Sequence, residues 1–268
     1  MGSMPMADDH RQGYYRVWSL LTPPLRPHAN VISAYREAFA GRSGRMLLLG
    51  VTPELADIAP DLVAVDRNAP MIANIWPGDT ERRKAVAGEW HKLDVPDGSF
   101  ANCVGDLSLV SQPFPQEALA CAREVARVLE PGGRFACRVI LPPEQAESEA
   151  ELRDAALSGR IHNFHAFKLR LGMALAARQP QPQINVEALM NAFNAMFADR
   201  DELVRITAWD RAQVDTIDYY RGSKVVHAFP AREQLLSLLS PLFARIEFIP
   251  TSGYELSERC QLLVADTV

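Results

Sequence analysis

Apolar residues along the chain follow two alternating rhythms. Largely apolar runs stand at RMLLLG (45–50), LVAVD (62–66), FANCVGD (100–106) and RFACRVIL (134–141), with a less clean one at KAVAGEW (84–90). Runs of this length suit strands covered on both faces, as in a parallel sheet, and parallel neighbours need crossover helices. Between them the period changes. PELADIA (53–59) opens on proline with an acid next, both favourable at a helix start, and APMIANIW (69–76) reads as a second helix. Over 115–130, Ala118, Cys121, Ala122, Val125 and Leu129 share one helical face, while Arg123, Glu124 and Arg127 share the other. EPGG (130–133) then turns the chain. This order predicts a doubly wound α/β fold.

The ends and the middle differ from that pattern. Residues 14–39 read as helical, interrupted by TPPLRP (22–27), and the second helix should stop at the turn between Gly41 and Gly44. After LPPE (141–144) the chain reads as mostly helical to residue 228, in EAELRDAALS, HAFKLRLGMALAARQ and NVEALMNAFNAMFADRDELVR, punctuated by QPQPQ (179–183). A last helix, AREQLLSLLSPLF, leads into two strands, ARIEFI and CQLLVAD, most simply an antiparallel pair at one sheet edge. The expected organisation is an N-terminal helical cover (1–44), a core (45–142 and 229–268) and a helical insertion or lid (143–228). The sheet should be seven-stranded and mostly parallel, with an antiparallel edge hairpin.

Composition narrows the partners. The chain has 268 residues, 48% hydrophobic and 23% charged, with net charge -5. That range is globular, and the acidic balance argues against a general binder of nucleic-acid backbones. No apolar run approaches a membrane span, and no basic-then-apolar leader opens the chain, where Met4 and Met6 are alternative starts. Cys103, Cys121, Cys137 and Cys260 are scattered without a paired spacing, so neither zinc nor a disulfide framework is expected, and a reducing cytoplasm fits. The sequence says nothing about oligomeric state.

In a doubly wound sheet, ligands bind beyond the carboxyl ends of the strands, where the strand order reverses. Four stretches fall there: Gly50-Val51-Thr52, Asp66 with Arg67, Glu89-Trp90, and Asp106-Leu107-Ser108. A carboxylate such as Asp66 can accept from both hydroxyls of a ribose. An acid after the third strand can accept from an exocyclic amine, with a Trp or Met beside it as an apolar face for a purine.

Together these stretches resemble the class I S-adenosylmethionine-dependent methyltransferases, over residues 45–141 and more weakly over the final helix and strand pair. LVAVDRNAPMI resembles the family's second motif, which implies that Asp66 binds the ribose and Met71 lies near the adenine. GEWHKLDVPDGSFANCVGD resembles the third and fourth motifs, implying that Glu89 and Trp90 face the adenine and that Asp106, Leu107 and Ser108 line the methionine half. AREVARVLEPGGRF resembles the structural helix and turn that follow. The opening motif departs from the family's acid and Gly-x-Gly-x-Gly: Leu48 stands near the acid's place, and Thr52 and Pro53 stand where glycines are usual. S-adenosylmethionine has no pyrophosphate to cradle, so one glycine at the tightest point suffices, with Thr52 adding a hydroxyl.

The remaining candidates are weaker. Tyr14, Arg26, Tyr219 and Tyr220 are candidate substrate contacts, together with Arg221. His162 and His165 read as surface or packing residues, the Met and Phe stripe of 189–197 as helix packing, and GYELSER as the shape of the final hairpin. No metal site and no catalytic residue is assigned, since methyl transfer from a sulfonium rests largely on positioning. The stretch Asp106-Leu107-Ser108-Leu109 lacks the Asp/Asn-Pro-Pro-aromatic pattern of amino-group enzymes acting on adenine or glutamine, and no Pro-Cys pair offers a cysteine nucleophile. A small-molecule acceptor is therefore expected, with a non-catalytic S-adenosylmethionine-binding protein as the alternative. A nicotinamide-dependent oxidoreductase is disfavoured by the missing Gly-x-Gly-x-x-Gly.

Overall fold

A computed structural model describes residues 13–268. The alternative starts at Met4 and Met6 and the opening residues of the expected cover lie outside the described residues. The described chain begins with a 3-10 turn, Tyr14–Leu20, rather than an α-helix. Helix α1 (Ala29–Ala38) follows, capped by the His28 side chain, which accepts from the Asn30 amide.

The sheet strands are β1 (Met46–Leu49), β2 (Leu62–Asp66), β3 (Arg83–Ala87), β4 (Phe100–Asp106) and β5 (Leu129–Ile140). Helices α2 (Ala69–Ile75) and α3 (Gln116–Val128) cross between them. One expected helix is missing. PELADIA forms only a three-residue 3-10 turn, Pro53–Leu55. Pro60 biases Ala59 away from helical geometry, which leaves too few residues to meet the cost of helix nucleation. The third strand starts and stops earlier than KAVAGEW suggested, so Gly88, Glu89 and Trp90 form the loop beyond it. EPGG does not separate helix from strand cleanly. β5 already begins at Leu129 and bulges before regaining register at Arg134 opposite Asn102.

The insertion holds α4 (Glu149–Leu157), α5 (Phe164–Ala176), β6 (Gln183–Asn185), α6 (Val186–Met196), α7 (Arg200–Thr207), α8 (Arg211–Asp215) and β7 (Val226–Ala228). Two expectations fail here. The long helix over 185–205 breaks at Phe197 to Asp199, because the Asp199 side chain accepts from the Asp201 and Glu202 amides and caps a new helix. β6 and β7 pair as a small antiparallel sheet that periodicity did not reveal. Phe164, Phe167, Phe193, Phe197 and Trp209 interlock at ring separations of 5.2 to 6.2 Å, so the 189–197 stripe is packing.

The chain returns through α9 (Arg232–Leu239), β8 (Arg245–Ile249) and β9 (Cys260–Asp266). The seven strands run in the order β3-β2-β1-β4-β5-β9-β8, with β9 antiparallel to both neighbours. Alternation along β1 splits the core. Met46 and Leu48 face α1 and Tyr35, while Leu47 and Leu49 pack with residues of α3 and α9. The strand order reverses at β1. Leu49 is level with Val65 on one side and Gly105 on the other, so Gly50, Asp66 and Asp106 leave the sheet side by side.

Candidate functional site

The turn after β1 is built around Gly50. Its φ is +98°, and its amide donates to the Val65 carbonyl at 2.8 Å. A Cβ there would lie 3.6 Å from Cζ2 of Trp90 and 3.8 Å from Oδ2 of Asp66, filling the space between ring and carboxylate. Thr52 keeps an ordinary φ of -56°, which is why the turn needs no further glycine before Pro53.

Asp66 is oriented by the start of α2. Its Oδ1 accepts from the Asn68 amide at 2.8 Å, and the Asn68 side chain caps α2 by accepting from the Met71 amide at 3.2 Å. Trp90 is fixed from the same strand, its Nε1 donating to the Val65 carbonyl at 2.6 Å. Glu89 is half exposed, 3.7 Å from Arg67 and 3.9 Å from His91.

The end of β4 departs from expectation. Both carboxylate oxygens of Asp106 are held by Arg138 of β5, from Nε and Nη2 at 2.8 Å each, and both side chains are buried. Tyr35 donates to the Gly105 carbonyl at 2.6 Å and accepts from the Arg138 amide at 2.9 Å. Asp106 and Leu107 border the site, but the Asp106 side chain belongs to this network. Leu107 takes a left-handed φ of +55°. Ser108 is turned inward, its Oγ 3.1 Å from the Cys137 sulfur, and does not line the cavity as expected. The corner at Leu107 folds Ser108 back against Gly105, whose hydrogen leaves it room.

These elements open into one cavity of about 760 Å³, within the range of small-molecule sites. From the strand ends and α2, Gly50, Thr52, Asp66, Arg67, Met71, Glu89, Trp90, Asp106 and Leu107 line it. Tyr14, Trp18 and Leu25 of the cover, Leu169 of α5, Tyr220, and His227 of β7 complete the wall. Besides Ser108, three candidates do not line it. Arg26 stacks on Trp18 at 5.3 Å and donates to Glu54 at 2.6 Å, so it staples the cover down. Tyr219 misses because successive residues of the 3-10 turn Thr216–Tyr220 point in different directions, and Tyr220 takes the place instead. Arg221 is exposed and pairs with Asp218.

Sequence reading missed Asn68, Leu25, Leu169, Ser111, Gln112 and His227, all on the cavity wall. Asn68 was legible as a helix cap before Ala-Pro. The others carry no local signal. His162 lies in a loop, its amide donating to Glu255, and His165 is buried with Nε2 3.2 Å from the Leu20 carbonyl. Among the described residues, no group of three His, Cys, Asp or Glu side chains could hold a metal ion. All four cysteines are free and buried, and burial pushes the Cys121 thiol up to about 12 and those of Cys137 and Cys260 to about 11. They are inert thiols. No helix among the described residues is long and apolar enough to cross a membrane.

The family model described as "Methyltransferase domain" matches residues 50–137, from the Gly50 turn to the middle of β5. Among solved structures, the CcbJ methyltransferase of Streptomyces caelestis aligns at TM-score 0.55 and 13% identity, over 98% of this chain and 99% of that one. The N-methyltransferase NodS of Bradyrhizobium japonicum, in complex with S-adenosylhomocysteine, aligns at TM-score 0.52 and 10% identity, over 97% and 99%. A Rhodobacter sphaeroides protein provisionally described as a zinc-dependent alcohol dehydrogenase aligns at TM-score 0.60 and 12% identity, over 98% and 100%. At such identities the likeness is one of fold. No curated protein matches the chain.

Proposed function

We propose that this chain, a class I S-adenosylmethionine-dependent methyltransferase, hands the methyl group to a small, largely apolar acceptor. The observation that carries the reading is one cavity whose wall is shared between the strand ends and the covering segments. The strand ends contribute the Gly50 turn and the charged groups, and the cover and insertion contribute Tyr14, Trp18, Leu25, Leu169 and Tyr220.

The residues on the sheet side fit the cofactor. The space that a Cβ at Gly50 would fill, between Asp66 and Trp90, suits a ribose and its base. In this reading Asp66 accepts from the ribose hydroxyls, Trp90 and Met71 flank the adenine, and Glu89 accepts from its amine. Thr52 and the backbone at Asp106 and Leu107 border the methionine half. When bound, S-adenosylmethionine supplies an electrophilic methyl group, and transfer is an in-line displacement governed by positioning and exclusion of water. Tyr14, Trp18, Leu25 and Leu169 exclude that water and present a surface for a flat acceptor. Tyr220 and His227 are polar groups on the cavity wall, and in this reading His227 takes a proton from an acceptor hydroxyl or amine. The cover, 1–44, and the insertion, 143–228, act as the lid of a core formed by 45–142 and 229–268. The net charge of -5 supports a small molecule over nucleic acid, and four free cysteines support a cytoplasmic protein.

The experiment is turnover with methyl-labelled S-adenosylmethionine against small hydroxylated and amino-substituted aromatics, proteins and nucleic acids. Label recovered in a small molecule supports the reading. Label recovered only in macromolecules overturns it.

A further inference from the structure

Among the described residues, Lys168 has no ionic partner. It sits on α5 with 2% of its surface exposed, and its Nζ makes no hydrogen bond. The ammonium lies 5.1 Å from the ring centroid of Tyr220 and 5.7 Å from that of Phe164. Aromatic faces attract a cation without neutralising it. Arg138, the other cation fully buried among the described residues, has both oxygens of Asp106. A lysine left in this condition is costly to bury, and the fold keeps it.

Its position is next to the acceptor side of the cavity. Tyr220, whose ring stands against the ammonium, lines the cavity, and so does Leu169, the next residue of α5. The seam between cover and insertion runs past the same place. His165, one turn before Leu169, meets the Leu20 carbonyl, and Asn163 donates to the Pro23 carbonyl at 3.0 Å. The charged residues that line the cavity, Asp66, Arg67, Glu89 and Asp106, all come from the strand ends and the loops just beyond them. Lys168 itself does not line the cavity; its ammonium stands behind the Tyr220 ring that does.

Resting on the reading of this cavity as a small-molecule acceptor site, we infer that Lys168 selects an acceptor carrying an anionic oxygen, in the simplest case a carboxylate. The acid enters beside the Tyr220 ring and pairs with the ammonium. Burial holds the free amine at about 7, so it is readily charged when a counter-ion arrives. His165 beside it is kept uncharged by the same burial and does not compete. The apolar wall takes the acceptor's body, and Lys168 distinguishes an acid from its neutral counterpart.

The test is calorimetric titration of the full chain, saturated with S-adenosylhomocysteine, with benzoate and with benzamide. Lys168→Met and Lys168→Gln are compared with the unaltered protein, their folding checked by thermal melting. The expected result is benzoate binding that weakens about tenfold or more in both variants, as loss of a charge-assisted hydrogen bond implies, with benzamide little changed. Benzoate that binds all three proteins alike, or none of them, overturns the inference while leaving the cofactor site standing. Failure of S-adenosylhomocysteine to bind removes the reading of the cavity, and the inference with it.

Discussion

Arg138 grips Asp106 with two parallel hydrogen bonds of 2.8 Å in the middle of the fold, both side chains shut off from water. The pair ties the ends of β4 and β5 together. The Arg138 carbonyl also accepts from the Leu107 amide at 3.1 Å, which holds the left-handed corner bordering the cavity. An acid at the end of the fourth strand, where a ligand contact is expected, is here part of the scaffold beneath the site.

Removing one partner of a buried ion pair strands the other charge. Arg138→Met should therefore cost about 3–5 kcal/mol of stability, and Arg138→Met with Asp106→Leu should recover much of that loss. Urea denaturation measures both. A single-variant cost below about 1 kcal/mol, as for an exposed pair, would contradict the buried geometry.

Gly50→Ala should affect both folding and binding. At a φ of +98° a side chain strains the backbone by about 1–2 kcal/mol, and the new methyl group stands between Asp66 and Trp90. Thermal melting should show the modest loss, and S-adenosylhomocysteine affinity of the folded variant should fall well beyond it. Unaltered affinity would move the cofactor away from this turn.

Asp66→Ala should weaken S-adenosylhomocysteine binding by about 1.5–3 kcal/mol, the worth of a charge-assisted contact to the ribose hydroxyls. Some cost to folding is expected too, because Asp66 accepts from the Asn68 amide. Binding measured on folded protein separates the effects, and an unchanged constant would take Asp66 out of the site.

Burial lowers the His165 imidazole from 6.5 to about 3, helped by the nearby Lys168. Between those values the unfolded chain takes up a proton that the folded chain refuses, so His165 makes stability fall as pH drops from 6.5 toward 3. His165→Gln should lose stability less steeply over that window. Lys168, lowered from 10.5 to about 7, makes stability rise with pH between those limits, and Lys168→Met should flatten that rise. Denaturation midpoints across pH decide both. Slopes parallel to the unaltered protein would contradict the burial of these groups.

The sheet was legible because its strands are largely apolar runs, and register alone brings Gly50, Asp66 and Asp106 to one edge. Local chemistry made Asp66, Met71 and Trp90 findable. Ser108 was misread because its side chain answers to a distant partner, Cys137, and the pairing of Asp106 with Arg138 was not foreseen. The one hint was a charge at Arg138 inside the apolar run RFACRVIL. The acceptor wall was legible only as a region. Tyr14 and Tyr220 reach the cavity while Arg26 and Tyr219 do not, and no spacing distinguishes Tyr219 from Tyr220 before the 3-10 turn between Thr216 and Tyr220 is known.

The central claim is that the strand-end cradle around Gly50 and Asp66 holds S-adenosylmethionine. Calorimetric titration of the purified chain with S-adenosylhomocysteine, and separately with NAD, tests it most directly. The account predicts saturable binding of S-adenosylhomocysteine at one site per chain and no binding of NAD. Saturable binding of NAD with none of S-adenosylhomocysteine would contradict it.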